Sequence, residues 1–248
     1  MSKRSVDLSN TSSHNSHSDL VMEWADGLPW FDKRQILLAI HGVTPRRHRR
    51  MEIDLHRLAK RKKLRTTYYG RKLIYALPRK TKKFDGSKIY HGLSCTECLI
   101  RLKRSWKDAE IIPERLFQGC GSVPDGGLIL DDKLLLLEFS TKHNFLFSGN
   151  MRGKLTAYES NIYQIEDKFK AKARVLFILD VPRETVKRFV GSVADGDQSA
   201  PYDGADPRTP LLPFFFVDYE TFLKVPIGDQ LKAPIYFWTN GKEYPLKK

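Results

Sequence analysis

The chain has 248 residues, of which 41% are hydrophobic, enough for one large or two modest domains with a proper core. Three cysteines are too few for a disulfide framework, no secretory signal is visible, and no apolar run approaches the ~18 residues of a membrane helix, so a cytoplasmic protein with no membrane partner is expected. The net charge of +14 is concentrated: residues 44–83 hold 16 Lys/Arg against Glu52 and Asp54, and the other 208 residues balance 27 bases with 27 acids. Such a block predicts a footprint for a polyanion, the alternative being a solvated basic face or a targeting sequence.

Residues 1–17 are polar and rich in Ser, Asn and His, and read as a disordered tail. From Ser18 the spacing is helical, with Leu20, Val21 and Trp24 on one face and Gly27 as the stop. Asp32 and Gln35 make a capping box for the helix in "KRQILLAIHG". Thr44 caps a third helix with Pro45 at its first position; Met51, Leu55 and Leu58 form its apolar face. Its other faces carry Arg46, Arg47, Arg49, Arg50, Arg57, Lys60 and Arg61. "LRTTYYGRKLIYALP" then reads as a hairpin with Arg71 and Lys72 at its tip. Three helices followed by a basic hairpin is the order of a winged helix-turn-helix, expected over residues 18–80. Its third helix would enter the major groove of double-stranded DNA, and the wing would meet phosphate.

The charged, turn-rich "PRKTKKFDGSK" reads as a linker, leaving 81–88 between the domains and 89–248 as a second domain. There the pattern becomes α/β: a helix in "SCTECLIRLKRSW", a strand in "AEIIPERLF" and a hairpin over 123–140. A helix from Met151 aligns Leu155, Tyr158, Ile162, Ile165 and Phe169, and "ARVLFILDV" is a strand buried on both faces. Strand, crossover helix and strand together predict a mixed sheet. Residues 191–210 read as a long loop, "FFFVDYETFLKV" as a strand and a helix, and "APIYFWTNGKEYPL" as an edge strand.

The hairpin carries the chemistry. With Asp131-Asp132 as a two-residue turn, Leu130 faces Lys133, and the same register sets Asp125 opposite Glu138. Facing residues of an antiparallel pair have Cβ atoms about 5 Å apart and point to the same side. Two carboxylates at that distance repel unless a cation stands between them, and a hard divalent ion such as Mg²⁺ does so well. Alternatively both are solvated at a sheet edge, and a turn one residue longer would separate their faces. His91, Cys95 and Cys98 recur at helical spacing with Cys120 further on; as a zinc signal this is weak, because a helix packed on a sheet gives the same pattern.

Pro124-Asp125 followed by Glu138 on the next strand, with a helix before and after, resembles the PD-(D/E)xK nuclease core. With "HGLSCTECLIRLKRSW", "PERLF", "PDGGLIL", "LLLLEFS" and a helix bearing Lys and Tyr, the order over residues 18–181 is similar to the replication-relaxation family of plasmids and mobile elements. The resemblance implies an α/β chain: an N-terminal winged helix-turn-helix, then a PD-(D/E)xK nuclease-like mixed-sheet domain. It further implies a DNA endonuclease dependent on Mg²⁺ or Mn²⁺, with Asp125 and Glu138 as catalytic and metal residues. The nuclease motif places a lysine two residues after Glu138, where this chain has Ser140; the substitute is Lys142 on the same strand or Lys154, preferred, on the next helix with Tyr158 one turn on. Glu114 and Glu97 compete to be the remaining metal carboxylate, with Glu114 favoured. Ser140 equally fits a catalytically inert DNA-binding accessory of replication or partition, which would contact a second copy or other proteins of the mobile element. An RNA-binding regulator is a more distant alternative.

Overall fold

The computed structural model describes residues 16–41, 48–78, 86–146, 149–194, 214–237 and 243–245. The chain divides into two compact units, Met1–Gly86 and Ser87–Lys248.

The first unit runs α1 (His17–Gly27), β1 (Phe31–Asp32), α2 (Lys33–His41), α3 (His48–Lys60), β2 (Arg65–Tyr69) and β3 (Lys72–Ala76). Helix α1 opens one residue before the expected Ser18 because Ser16 and Asp19 form a capping box. A second box starts α2: Gln35 N donates to Asp32 Oδ1 at 2.8 Å, and Asp32 N donates to Gln35 Oε1 at 3.1 Å. Met51, Leu55 and Leu58 of α3 are buried with Val21, Ala25, Ile36 and Ile74. The strands form an antiparallel sheet in the order β1-β3-β2, with Tyr69 facing Lys72 across the tip. Gly70 there has φ +59°, the left-handed region that a two-residue turn asks of its first central residue. Thr44 and Pro45, the expected cap of α3, lie outside the described residues.

The second unit begins with α4 (Gly86–Ser105), so the last three residues of the stretch read as linker are helical. Then follow β4 (Glu110–Pro113), β5 (Gly126–Leu130), β6 (Lys133–Ser140), α5 (Lys142–Leu146), α6 (Gly149–Phe169), β7 (Lys172–Leu179), α7 (Arg183–Ala194), β8 (Phe214–Asp218), α8 (Tyr219–Lys224), β9 (Pro234–Phe237) and β10 (Glu243–Pro245). Seven strands form one mixed sheet in the order β10-β9-β8-β7-β6-β5-β4. β6, β7 and β8 are parallel neighbours, and the flanking pairs are antiparallel.

Alternation along the strands divides the core between two faces. Leu134 and Leu136 of β6, with Val175 and Phe177 of β7, pack on Leu155, Tyr158 and Ile162 of α6 and Val186 and Val190 of α7. Phe139 points the other way, its ring edge-on to His91 of α4 at 5.6 Å and to Tyr219 of α8 at 5.0 Å. Among the described residues no helix is long and apolar enough to cross a membrane.

Four expectations are corrected here. The strand expected through "AEIIPERLF" ends at Pro113, and Glu114–Phe117 form a 3-10 turn that carries Glu114 out of the sheet. β6 stops at Ser140; Thr141 caps α5 (Asn144 N to Thr141 Oγ1, 3.4 Å), so Lys142 is an exposed helical residue rather than a strand neighbour of Glu138. α7 occupies 183–194, where no helix was expected and where the reading of a loop from 191 begins too early; 195–213 lie outside the described residues. The C-terminal edge strand is two antiparallel strands, β9 and β10.

Candidate active site

The register of the β5–β6 hairpin is the expected one: Leu130 pairs with Lys133, and the ladder runs back to Gly126 opposite Leu137. Asp125 stands one step before β5, its N–H bonded to Leu137 O at 2.9 Å, which brings it level with Glu138. The two carboxylates are nevertheless held from different layers. Asp125 Oδ2 accepts from the Phe139 N–H at 2.8 Å, and Oδ1 lies 2.8 Å from His91 Nε2 of α4. Glu138 points to the α6 face, where Lys154 Nζ donates to Oε2 and Tyr158 OH donates to Oε1 at 2.7 Å. The reason is that Asp125 precedes the regular ladder, so its side chain turns over the end of the sheet towards α4.

Burial grades the site. The Glu138 side chain is 4% exposed, Asp125 19%, His91 30% and Lys154 42%, so exposure rises from the carboxylates to the basic groups that meet them. Desolvation and then the charge of Asp125 push the Glu138 carboxyl up to about 7, against the pull of Lys154 and Tyr158. Burial opposes protonation of His91, but the hydrogen bond to Asp125 and its charge outweigh this and hold the imidazole above its usual value. Lys154 behaves likewise: desolvation works against its charge, and Glu138 and Asp125 more than restore it. Burial, then Glu138, raises the Tyr158 phenol well above its ordinary value, so it stays a donor.

Of the lysine substitutes, Lys154 meets Glu138, while Lys142 shows no contact with it. Glu114 is exposed on its 3-10 turn. Glu97 is buried in an ion pair with Arg101 at 2.8 Å, which leaves it a structural role inside α4. His91 and Cys95, one turn apart on α4, are brought to the site instead: a His91 ring nitrogen, Cys95 Sγ and an Asp125 oxygen all lie within 4.8 Å of one another, and Glu138 and Glu114 are outside that group. Their i, i+4 spacing was visible in the sequence, but nothing local indicated that Asp125 would fold over to meet them. Cys98 and Cys120 are buried elsewhere in the unit.

In the first unit Arg49, Arg50, Arg57, Lys60 and Arg61 are exposed on and just after α3, and Arg71 and Lys72 at the tip of β2–β3. Arg57 lies 3.7 Å from Asp54, and Lys72 3.8 Å from Asp32. Arg46 and Arg47 lie outside the described residues. Tyr68, on β2 beside the tip, is 72% exposed.

No protein-family model matches the chain, and no curated protein matches it.

Proposed function

We propose that the protein is a DNA-binding, metal-dependent endonuclease of the replication-relaxation kind, a winged helix followed by a PD-(D/E)xK nuclease-like domain. The observation that carries this reading is the convergence of Lys154 and Tyr158 on Glu138, beside Asp125, at the open end of the β5–β6 hairpin. The order of elements supports it. In the first unit β1 precedes the second and third helices and pairs with β3, so the β2–β3 hairpin is tied back to the helices. In the second, α4, three antiparallel strands, α6 and a strand parallel to β6 follow in sequence.

Asp125 is partly exposed and lies with His91 and Cys95 in a group of donor atoms within 4.8 Å of one another, a set that fits a divalent cation. Asp125 and Glu138 would hold Mg²⁺ or Mn²⁺, and when bound the ion supplies Lewis acidity towards the phosphodiester and towards water. Lys154, charged and partly exposed, offsets the negative charge that gathers on the phosphate. Tyr158 and Lys154 fix the Glu138 carboxylate from both sides, and the Phe139 N–H fixes Asp125, so neither has to reorient when substrate arrives. The exposed bases of α3 and the β2–β3 tip bind duplex phosphate.

The test is incubation of supercoiled plasmid with the protein and Mg²⁺ or Mn²⁺. Wild type nicks or linearises the plasmid and Asp125→Ala does not. A second reading rests on Ser140, buried at the nuclease lysine position, and on the engagement of all four carboxylate oxygens: a DNA-binding accessory whose fold no longer cuts. A wild type inert on every DNA with either metal selects that reading.

A further inference from the structure

We infer that the cation bound at Asp125 is a borderline transition ion of the zinc class, held by His91, Cys95 and Asp125 with one position left open. The inference rests on the nuclease reading for Asp125 as a metal ligand, replaces Glu138 and Mg²⁺ there by His91, Cys95 and a softer ion, and is tested independently of that reading. His91 and Cys95 leave the same face of α4 one turn apart, and Asp125 arrives from the end of the hairpin, so the three donors come from two elements that the fold already holds together. Nε2 of His91 and Oδ1 of Asp125 are 2.8 Å apart, and the Sγ of Cys95 completes a group spanning no more than 4.8 Å. Two ligands on one tetrahedral ion, each about 2.0–2.3 Å from it, stand a little over 3 Å apart, so small adjustments would seat the metal between them.

The surroundings are those of a ligand set. Asp125 is oriented through its other oxygen by the Phe139 N–H, and the Phe139 ring packs edge-on against the His91 imidazole. Cys95 is buried, whereas Asp125 and His91 remain partly exposed, which leaves one side of the group open. Three protein ligands and an open fourth position describe a catalytic rather than a structural zinc site.

Ligand softness then selects the metal. Mg²⁺ demands oxygen donors in an octahedron and gains little from a thiolate or an imidazole. Zn²⁺ and Co²⁺ bind both well and accept a tetrahedral set. On binding, the Cys95 thiol gives its proton to solvent and becomes a thiolate ligand, and the proton shared between His91 and Asp125 is also displaced.

Titration of the full-length, reduced protein with Co²⁺ reads the site directly, because a thiolate ligand gives a charge-transfer absorption that oxygen ligands lack. The expected result is a one-to-one titration with that band, displaced by Zn²⁺ and unmoved by a large excess of Mg²⁺. Cys95→Ser abolishes the band. His91→Ala, at a partly exposed side chain, weakens Co²⁺ binding by more than the roughly 10- to 100-fold that loss of an outer-shell partner costs. A Co²⁺ complex without the band, a band that survives Cys95→Ser, or displacement by Mg²⁺ overturns the inference. Cleavage separates it from the nuclease reading. A wild type that binds Co²⁺ through Cys95 but cuts no DNA keeps this metal site and sinks the nuclease. Mg²⁺-dependent cutting that is equal in wild type, His91→Ala and Cys95→Ser keeps the nuclease and sinks this metal site.

Discussion

At the residue scale the decisive group is Glu138, a carboxylate 4% exposed whose pKa is raised to about 7 by burial and by Asp125. An acid whose folded pKa exceeds its unfolded value near 4.5 binds more protons in the native state between the two. Its contribution to stability is therefore complete below about 4.5 and is lost as the pH rises through 7. For metal-free protein, urea unfolding across this window should show stability falling by up to ~3 kcal/mol, and Glu138→Gln should flatten the slope. His91, also raised, adds a loss of the same sign as its own proton leaves, so the slope remaining in Glu138→Gln should shrink further in the double variant with His91→Ala. Lys154 has a different signature. Lys154→Ala should lower the cleavage rate by about 10²–10³-fold, as loss of one preorganised donor does, and leave DNA affinity unchanged. Loss of cleavage in Lys142→Ala with full activity in Lys154→Ala would reverse the assignment.

At the scale of elements, the β5–β6 hairpin aligns the acids, and its tightest point is Gly127. A Cβ built there would stand 2.9 Å from the Leu135 carbonyl oxygen and 3.3 Å from Phe117. Gly127→Ala must therefore push the strands apart, at a cost of about 1–3 kcal/mol typical of overpacking, readable as a lowered denaturant midpoint. Cleavage should fall further than stability alone predicts, because the displaced strand carries Asp125. The hairpin was legible in the sequence since its turn and alternation are local: two aspartates between apolar runs specify Leu130 opposite Lys133, and counting brings Asp125 level with Glu138 but not onto the same face. Both capping residues of α2 and the apolar face of α6 were legible for the same reason. What local pattern could not supply was direction at an element's end. Asp125 steps out of the ladder and turns to α4, Lys142 leaves the strand for α5, and Glu114 rolls onto a 3-10 turn. Each depends on a contact made across the fold, and the pairing of His91 with Asp125 spans 34 positions of sequence.

At the scale of the whole molecule, charge and chemistry are divided between the two units. The block of 16 bases in residues 44–83 belongs to the first, while the second carries buried Glu138, partly exposed Asp125 and the basic groups beside them. Affinity for duplex DNA should consequently be electrostatic and steeply salt-dependent. If Arg46, Arg47, Arg50, Lys60, Arg71 and Lys72 make about six phosphate contacts, the slope of log affinity against log salt should be roughly −5, measured by fluorescence anisotropy of a labelled duplex. Asp125→Ala should leave that slope untouched, whereas Arg71→Ala with Lys72→Ala should reduce it by about two. A slope near zero for the wild type would remove DNA from the list of partners.

The Asp131–Asp132 turn has an implication for how such a protein changes through its lineage. The turn lies at the opposite end of the hairpin from Asp125, yet the ladder transmits its length to the acids one pair at a time. A codon inserted at the turn and drawn into the ladder would set Asp125 against Leu137, and every following side chain of β6 would exchange faces. An insertion of three nucleotides could thus silence the chemistry while leaving each of its residues intact, and a compensating deletion could restore it. In the nuclease reading, the function of this hairpin is stored as a length as much as an inventory of side chains, and comparisons that score only residue identity would overlook its loss.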